Sequence, residues 1–564
     1  MAKTRYHVPV LVIGSGLAGC SAALTLADAG HEVLIISESD HLGGGNSELA
    51  QGGIIYKAAT EDTAEEARAL EHDILVAGHE YNYKKAVRNL CVEGPECVDH
   101  VLIERSGIEF DKDAEGNWDL TREGGHGRRR ILHKADYSGK AIMDGIREKV
   151  RTHKNITILY RHTAIDLLTT HHSAPTSQMR YEVMNRCIGA YVLDENTGGI
   201  VTIIADHTVL ATGGVGQVFL HSTNSPACVG SAISMASRAG VSLANLEFMQ
   251  FHPTTLFSDA MARCPLITEA MRGEGAHLVD DKGVPFMKKH DPRGDLAPRD
   301  IVSQAMMEEM LASGAPCLYL DATRVEADLP TRFPTVFQEC QDIGIDIRTD
   351  PIPVVPGAHY FCGGILVDLN GQTSMPGLYA IGECSCTGLH GANRLASTSL
   401  LEALVWGVGC GKHIASRLNR HYGGVPNSLA GAVPDWNHEG HEGNDDPALV
   451  AQDWARIRTT MWNYVGITRN QVRLRRAFEE KSRNFARKVE NTENQIRQSM
   501  AQQIYDAATT IAKQQKLDLI LDAAAGSVMY ATPSLDITKP VLAEVNRLWK
   551  AGGSKFPEPN TGKK

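Results

Sequence analysis

The sequence predicts an α/β protein with a parallel sheet at its start, an inserted unit in its middle and a helical region at its end. Residues 10–13 (VLVI) form an apolar strand pattern that passes into the glycine turn GSGLAG at residues 14–19. An alanine- and leucine-rich stretch to about residue 29 has the composition of a helix, and residues 33–36 repeat the strand pattern. Together these segments are the opening βαβ unit of a dinucleotide-binding, Rossmann-type fold.

Composition and charge narrow the function classes. The chain has 564 residues, of which 43% are hydrophobic and 22% charged, as in globular proteins, and this length predicts several domains. A formal net charge of −11 argues against general affinity for nucleic acid or for an anionic membrane. No apolar stretch approaches the roughly 20 residues that span a bilayer. We therefore expect a soluble enzyme without nucleic-acid or membrane partners.

The twelve cysteines show neither disulfide nor metal spacing. Cys384 and Cys386 are too close for an ordinary bridge and fall short of the ligand set of a zinc site. Scattered cysteines of this kind are typical of reduced thiols in the cytoplasm. The apolar N-terminal run leads directly into the glycine turn, which predicts a strand rather than a secretory signal. We therefore expect a cytoplasmic protein without a metal site.

Shifts in composition divide the chain into parts. The middle part is richer in proline and charge, and a glycine-, asparagine- and histidine-rich stretch follows the second half of the sheet domain. In chain order we expect a discontinuous nucleotide-binding domain at 1–244 and 358–421, a capping unit at 245–357, a linker at 422–446, a helical domain at 447–496 and a tail at 497–564.

The glycine turn lies where it can bind a pyrophosphate. Glycines let the backbone approach the phosphates, and a helix beginning at Leu17 offers free N–H groups and the positive end of its dipole. Glu38 lies about 20 residues further on, at the end of the second strand, where a ribose partner belongs. The glycine-rich loop at 43–54 suits a flat ring. The segment at 387–407 runs from a polar loop into a helix, which we expect at 393–415 and whose N-terminal dipole suits the negative charge of a reduced flavin. These two segments favour FAD over a nicotinamide dinucleotide.

Five further motifs follow in order. They are LEFMQFHPTTL at 246–256, TEAMRGEGA at 268–276, LAPRDIVSQAM at 296–306, PGAHYFCGGI at 356–365 and GANRLAS at 391–397. With the glycine segments they closely resemble the flavoprotein family of succinate dehydrogenase, fumarate reductase and L-aspartate oxidase, over residues 10–476. The resemblance implies an α/β FAD-binding Rossmann-type domain, an inserted α+β capping domain and a C-terminal helical region. It also implies hydride exchange between FAD and a small dicarboxylate.

The glycine motifs and the resemblance together predict the FAD contacts. The predicted contacts are Gly14, Ser15, Gly16, Leu17, Ala18, Gly19, Glu38, Asn46, Ser47, Ala50, Gln51, Gly52, Gly53, Ala211, Gly213, Glu383, Ser399 and Leu400. Asn46 stands where membrane-bound relatives have a histidine joined covalently to the flavin. An amide cannot form that bond, so we expect non-covalent FAD. Ser231 departs from the family pattern, which has an acidic flavin-contacting residue there.

A dicarboxylate needs two anion-binding positions, and in a chain of net charge −11 these must be specific side chains. The candidates within the matched motifs are His252, His359, Arg394, Thr268, the backbone around Glu269, and Arg299, while Arg272 is interpreted as part of a structural ion-pair network. The resemblance implies that Arg299 handles the proton at the carbon opposite the hydride. Because arginine stays protonated, that proton has to move in concert with the hydride, with acidic neighbours sharing the charge.

The segment LTREGGHGRRRILHKADYSGKAI at 120–142 resembles the form found in L-aspartate oxidases. Glu123 matches the carboxylate that this branch presents to the amino group of its substrate, where the succinate and fumarate enzymes have a neutral amide. An ammonium favours an anionic partner, whereas bare succinate is repelled by one. The implied reaction takes L-aspartate to iminoaspartate, with O₂ or fumarate as electron acceptor. In the family this product feeds quinolinate synthase in NAD synthesis.

The end of the chain departs from the family. Its usual arginine-rich ending is absent, so the helical domain would be truncated. Residues 497–550 instead resemble the end of Skp/OmpH-like periplasmic chaperones, with an amphipathic helix to about residue 515, a strand at DLILD and a short final helix. Two alternatives stay open. One is a soluble fumarate reductase or succinate dehydrogenase flavoprotein subunit, against which Asn46 and Glu123 argue. The other is a fusion whose tail serves as an oligomerising or binding module, which Ser231 and the lost ending favour slightly.

Overall fold

A computed structural model describes residues 4–58, 63–171, 184–258, 263–420, 424–436 and 446–479, and the backbone of 519–521 and 528–531. Residues 1–473 form one compact unit and residues 474–564 a second. No helix within the described ranges is long and apolar enough to cross a membrane. All twelve cysteines are buried as thiols, and no described group of acidic, histidine and cysteine side chains has the arrangement of a metal site.

The strands of the described residues are labelled in chain order. They are β1 (Arg5–Ile13), β2 (Val33–Ser37), β3 (Ile54–Ile55), β4 (Ile131–Leu132), β5 (Ile156–Tyr160), β6 (His162–Thr169), β7 (Cys187–Asp194), β8 (Gly199–Leu210), β9 (Leu243–Ala244), β10 (Met249–Leu256), β11 (His277–Val279), β12 (Leu318–Asp321), β13 (Ile352–Phe361), β14 (Gly364–Leu366), β15 (Leu378–Ala380), β16 (Ser385–Cys386), β17 (Leu519–Leu521) and β18 (Val528–Ala531).

The helices are labelled in the same way. They are α1 (Leu17–Asp28), α2 (Thr63–Ala77), α3 (Lys84–Cys97), α4 (Ser138–Thr152), α5 (Ser231–Arg238), α6 (Ala270–Gly273), α7 (Met287–His290), α8 (Arg299–Ser313), α9 (Leu329–Arg332), α10 (Pro334–Gln341), α11 (Thr398–Asn419), α12 (Asn427–Ala432) and α13 (Pro447–Val465). A π-helical stretch, Val98–Arg105, continues α3.

The main sheet positions the glycine turns. Its described strands run in the order β5-β2-β1-β8-β7-β6, with β15 also paired to β8. The pairs among β5, β2, β1, β8 and β15 are parallel, whereas β7 is antiparallel to β6 and β8. Alternate residues of β1 lie in two hydrophobic cores, Val10 and Val12 in one and Leu11 and Ile13 in the other. Burial on both faces explains why the strand is apolar without alternation, and the predicted α/β fold class is confirmed.

A second sheet positions the histidine motifs. It is antiparallel in the order β10-β13-β12-β11. On adjacent strands, His252 of β10 pairs in register with Gly357 of β13, two residues before His359. Val302 and Met306 of α8 pack into the core of this sheet. Arg299, at the first turn of α8, is thereby fixed beside β10.

The structure differs from the sequence predictions in two places. The helix expected from residue 393 begins at Thr398, because Ser397 adopts a left-handed conformation with φ of 57°. The expected linker contains helix α12, whose Ala430 packs with Val433 and Ile188 against the main sheet. Residues 421–423 and 437–445 of that linker lie outside the described residues. The other domain boundaries stay predictions.

In the second unit, β17 and β18 pair antiparallel. The strand predicted from DLILD is confirmed as β17. The helix predicted before it, at 497–515, and the remainder of the helical domain to residue 496 lie outside the described residues.

Candidate active site

The carboxyl ends of the parallel strands open onto one cavity that extends to β10 and β13. Ligands of open α/β sheets bind at this edge. Every predicted site residue except Gly19 lines the cavity, including Ser231. These residues are Gly14, Ser15, Gly16, Leu17, Ala18, Glu38, Asn46, Ser47, Ala50, Gln51, Gly52, Gly53, Glu123, Ala211, Gly213, Ser231, His252, Thr268, Glu269, Arg299, His359, Glu383, Arg394, Ser399 and Leu400.

Gly19 has a different place from the one predicted. It lies inside α1, where a Cβ would overlap the Gly14 carbonyl oxygen and press on Ala211. Its lack of a side chain therefore lets the helix pack closely on the glycine turn, and the predicted FAD contact at Gly19 is corrected to this packing role.

The N-terminus of α1 points at the nucleotide end of the cavity. Its N-cap residue, Gly16, supplies no side-chain cap, and the Leu17 N–H donates to Ser47 Oγ over 3.2 Å. The hydroxyls of Ser15 and Ser37 lie 2.9 Å apart, tying the glycine turn to the end of β2. Uncapped N–H groups and the helix dipole make this terminus an anion site. It fits a pyrophosphate.

Asn46 joins three segments around the cavity. Its Nδ2 donates to Glu383 Oε2 over 2.8 Å, and its Oδ1 accepts from the Ser225 N–H over 2.9 Å. The other oxygen of Glu383 accepts from the Phe361 N–H over 3.1 Å. Enclosure by the protein raises the pKa of the Glu383 carboxyl to about 7. Glu383 is therefore a carboxyl group in the wall of the cavity whose pKa lies close to neutral pH.

His252 and His359 form one wall of the opposite end, with ring centroids 5.2 Å apart. Burial, and then the charges of Arg299 for His252 and Arg394 for His359, hold the pKa of both rings well below the usual range. His252 Nδ1 lies 3.1 Å from the Thr254 carbonyl oxygen and 3.3 Å from the Thr254 nitrogen, so it can donate to the first or accept from the second. Thr223 Oγ1 lies 2.8 Å from His359 Nδ1. When each Nδ1 accepts, the neutral rings offer Nε2–H to a ligand.

Arg299 is held by a carboxylate. Its Nε donates to Glu269 Oε2 over 2.6 Å, and only 12% of its side chain is exposed. Enclosure would raise the pKa of Glu269, but Arg299 and then Arg272 outweigh it and hold that pKa below the usual value. Arg272 is fully buried, donates to the Asp295 carbonyl and lies 3.9 Å from Glu269. Arg272 is absent from the cavity wall and belongs to an ion-pair network with Glu269 and Arg299, in line with its interpretation from the sequence.

Three nitrogen donors around this end have no hydrogen-bond partner within the described residues. They are Nε2 of His252, Nη1 of Arg299 and Nε of Arg394, all buried. A buried donor without a partner costs about 1–3 kcal/mol. Thr268 and Ser399 add hydroxyls to the same wall. A bound carboxylate would satisfy such a convergent set.

Glu123 enters the cavity from the loop between α3 and α4. Its Oε2 accepts from Ser397 Oγ over 2.7 Å, and a Cβ at Gly52 would overlap its Oε1. The missing side chain at Gly52 therefore makes room for the carboxylate. Ser397, in its left-handed conformation, is a cavity residue that the sequence prediction missed. Its position inside the GANRLAS motif was the available signal.

The chain is similar to two protein families and to L-aspartate oxidases of several bacteria. The family described as FAD binding domain matches residues 9–400, and the family described as outer membrane protein (OmpH-like) matches residues 468–545. L-aspartate oxidase 1 of Ralstonia nicotianae is 44% identical over 471 residues, which cover 83% of this chain and 84% of that protein. L-aspartate oxidase of Pseudomonas aeruginosa is 44% identical over 481 residues, which cover 84% of this chain and 86% of that protein.

Solved structures share the fold. A variant of E. coli quinol fumarate reductase aligns with a TM-score of 0.74 and 26% identity, covering 86% of this chain and 83% of that chain. A quinol-fumarate reductase with menaquinol molecules aligns with a TM-score of 0.73 and 28% identity, covering 84% of this chain and 82% of that chain.

Proposed function

The chain belongs to the L-aspartate oxidase family of FAD-binding flavoproteins, and on that premise we propose how its residues oxidise L-aspartate to iminoaspartate. The predicted family, the FAD cofactor and the OmpH-like resemblance of the tail are thereby confirmed. The observation that supports the mechanism is the placement of Glu123 in one cavity with Arg299, Arg394 and the two histidines.

The residues present fit FAD. The uncapped N-terminus of α1 suits the pyrophosphate, and the exposed carboxylate of Glu38 at the end of β2 suits ribose hydroxyls. The loop of residues 43–53 and the turn around Glu383 line the adjoining part of the cavity. When bound, FAD supplies the hydride acceptor. We propose that it is held without a covalent bond, because Asn46 offers an amide that is already bonded to Glu383 and Ser225.

The carboxylates of the substrate bind at the wall that contains the partnerless donors. Arg394 and Arg299 offer charged N–H groups, and the neutral His252 and His359 offer Nε2–H in the tautomer in which Nδ1 accepts. Arginine pairs with a carboxylate through charge-assisted bonds that fix its plane. Two such positions orient the carbon between them, so the same residues that bind the substrate also select the hydride that leaves.

Glu123 binds the amino group. Its Oε2 is fixed by Ser397, and its Oε1 lies over the open backbone of Gly52, facing the cavity. An ammonium beside this carboxylate forms a charge-assisted bond, whereas a substrate without an amine leaves Glu123 unpaired near two carboxylates. Glu123 therefore favours aspartate over succinate.

Arg299 handles the proton of the dicarboxylate. Glu269 holds its Nε, which leaves Nη1 directed away from that ion pair and without a partner within the described part of the chain. With fumarate as electron acceptor, a proton must reach the carbon opposite the hydride. Arg299 delivers that proton from Nη1 while Glu269 stabilises the charge that changes on the guanidinium.

The acceptor of the electrons is O₂, giving hydrogen peroxide, or fumarate, giving succinate. We propose that iminoaspartate is then used by quinolinate synthase, which links this enzyme to NAD synthesis. The cytoplasmic location stays a prediction, and the buried thiols of all twelve cysteines are consistent with it.

A fumarate reductase or succinate dehydrogenase flavoprotein subunit is the second candidate, which the similarity to quinol fumarate reductases favours. Glu123 argues against it. The two are separated by a peroxide assay on the purified flavoprotein with L-aspartate or succinate as substrate, with and without fumarate. We expect peroxide from aspartate only, and less of it when fumarate competes. Oxidation of succinate in preference to aspartate contradicts the proposal.

A further inference from the structure

Arg394 is a buried cation whose charge is not neutralised by direct contact. Its residue is 5% exposed, and among the described residues no carboxylate lies within ion-pair distance of it. Its Nη1 donates only weakly, to the Leu395 carbonyl over 3.4 Å and to Ser399 Oγ over 3.3 Å, and its Nε has no partner there. Burying a charge that has no direct partner destabilises the folded protein by about several kcal/mol. Something else must stabilise this guanidinium.

The ring of Tyr360 provides part of that stabilisation. The Arg394 Cζ lies 4.7 Å from the ring centroid, within the range of a cation–π interaction. Tyr360 lines the cavity on β13 immediately after His359, and its ring also lies edge-on to His390 at 5.0 Å. The face of the ring is therefore held against the guanidinium by its neighbours.

The hydroxyl group of Tyr360 contacts a buried carboxylate, that of Glu402. The Tyr360 hydroxyl donates to Glu402 Oε2 over 2.5 Å. Glu402 is 1% exposed and also accepts from Thr387 Oγ1 over 2.5 Å and from His390 Nε2 at 2.9 Å. Burial would raise the pKa of Glu402, but the charge of His390 and the three hydrogen bonds hold it below the usual value. Glu402 is therefore an anion at the hydroxyl end of Tyr360, whereas Arg394 lies over the face of the ring.

This arrangement has a chemical consequence. A phenol that donates a short hydrogen bond to a carboxylate gains electron density on its oxygen and ring, which strengthens the attraction of the ring face for a cation. The negative charge of Glu402 thus stabilises Arg394 through Tyr360. A direct ion pair would instead occupy the guanidinium N–H groups, which a ligand carboxylate needs.

We propose that Tyr360 and Glu402 are positioning residues for substrate binding: they hold Arg394 charged and in place while leaving its N–H groups free for a substrate carboxylate. The proposal rests on the proposed function only in taking a dicarboxylate as the ligand. Tyr360 lines the cavity and Glu402 does not, and we argue that both act on the substrate through Arg394.

The test is a double-mutant cycle on the binding of succinate to the FAD-loaded enzyme, followed by the change in the flavin absorbance spectrum. Tyr360→Phe keeps the ring and removes its bond to Glu402, so the dissociation constant of succinate should rise about two- to five-fold. In an Arg394→Met background the same change should have no effect, because its target is gone. Equal effects of Tyr360→Phe in both backgrounds would show a general structural role and overturn the proposal.

Thr387→Val is the matched control, since it removes an equally short hydrogen bond to the same carboxylate but leaves Tyr360 bonded. We expect it to lower the unfolding temperature as much as Tyr360→Phe does, with an unchanged succinate dissociation constant. A rise as large as that of Tyr360→Phe contradicts the path through the ring. Because succinate binding is measured without turnover, the cycle can succeed even if the peroxide assay fails, and the two failures are distinguishable.

Discussion

Replacing Glu123 by glutamine should separate oxidation of aspartate from reduction of fumarate. The amide keeps the size of the side chain and can still accept a hydrogen bond from the Ser397 hydroxyl, which now bonds to Glu123 over 2.7 Å. What is lost is the negative charge facing the substrate amine. Fumarate has no amine, so its carboxylates meet one fewer like charge in the variant.

The magnitude follows from the bond that is lost. A hydrogen bond to a charged group contributes about 1.5–3 kcal/mol, and about 1.4 kcal/mol corresponds to a factor of ten. We therefore expect kcat/KM for L-aspartate to fall about 10- to 100-fold. Fumarate reduction should stay the same or rise by a smaller factor, since removing one like charge at partial exposure is worth about 1 kcal/mol or less.

Both activities are measured on one preparation of FAD-loaded protein. Aspartate oxidation is followed by peroxide release, and fumarate reduction by the oxidation of a chemically reduced dye under anaerobic conditions. Glu115→Gln is the matched control, because Glu115 is exposed, lies in the same region between α3 and α4, and is absent from the cavity wall. It should change neither rate.

An equal loss of both activities in Glu123→Gln would refute the discriminating role. Such a result would mean that Glu123 supports the shape of the loop rather than recognition of the amine. An unchanged aspartate rate would refute it equally, because the substrate ammonium would then have no need of the carboxylate.

Three further predictions test the rest of the site. Arg299→Lys should lower the rate of fumarate reduction about 100-fold or more, because a preorganised donor is lost. The control is Arg293→Lys, at an exposed arginine paired with Asp291, which should leave the rate unchanged. Near-full turnover of Arg299→Lys would contradict its role. Acid precipitation should release all flavin into the supernatant because Asn46 cannot bond it, and a pellet that stays yellow would show a covalent link. Enclosure raises the pKa of Glu383 in the folded protein to about 7. Its protonated form therefore stabilises the fold below about pH 4.5, and this contribution is lost as the pH rises through 7. The unfolding temperature of the wild type relative to Glu383→Gln should fall over this pH range, and a constant difference would contradict the assignment.

The parts of the site that the sequence predicted are those encoded in short segments. The glycine turn follows directly from β1 and begins α1, so strand, turn and helix specify one another locally. The histidine and arginine motifs were likewise recognisable as continuous stretches. These segments converge on one cavity because they come from the carboxyl edge of one sheet and from the sheet beside it.

The missed features depend on contacts that are distant in sequence. Ser397 bonds to Glu123 across 274 positions, and Tyr360 bonds to Glu402 across 42. No local pattern indicates either pair. Helix α12 was missed for a different reason, because its glycine- and asparagine-rich surroundings concealed the few apolar residues, such as Ala430, that pack on the sheet. Gly19 was assigned to the ligand because the motif does not distinguish glycines that line a site from those that allow close packing.

The carboxylates of the site explain why a chain of net charge −11 can select an amino acid. Glu269 is committed to Arg299, and Glu402 to the hydroxyls and imidazole around it. Glu383 is held by an amide and a backbone N–H, with a pKa near neutrality. Within the described residues, the only side chain that bonds to Glu123 is the Ser397 hydroxyl, so no cationic side chain pairs with its carboxylate directly. An ammonium supplies the missing charge, and succinate cannot. The same cavity that binds two carboxylates through its arginines therefore prefers the dicarboxylate that carries an amine.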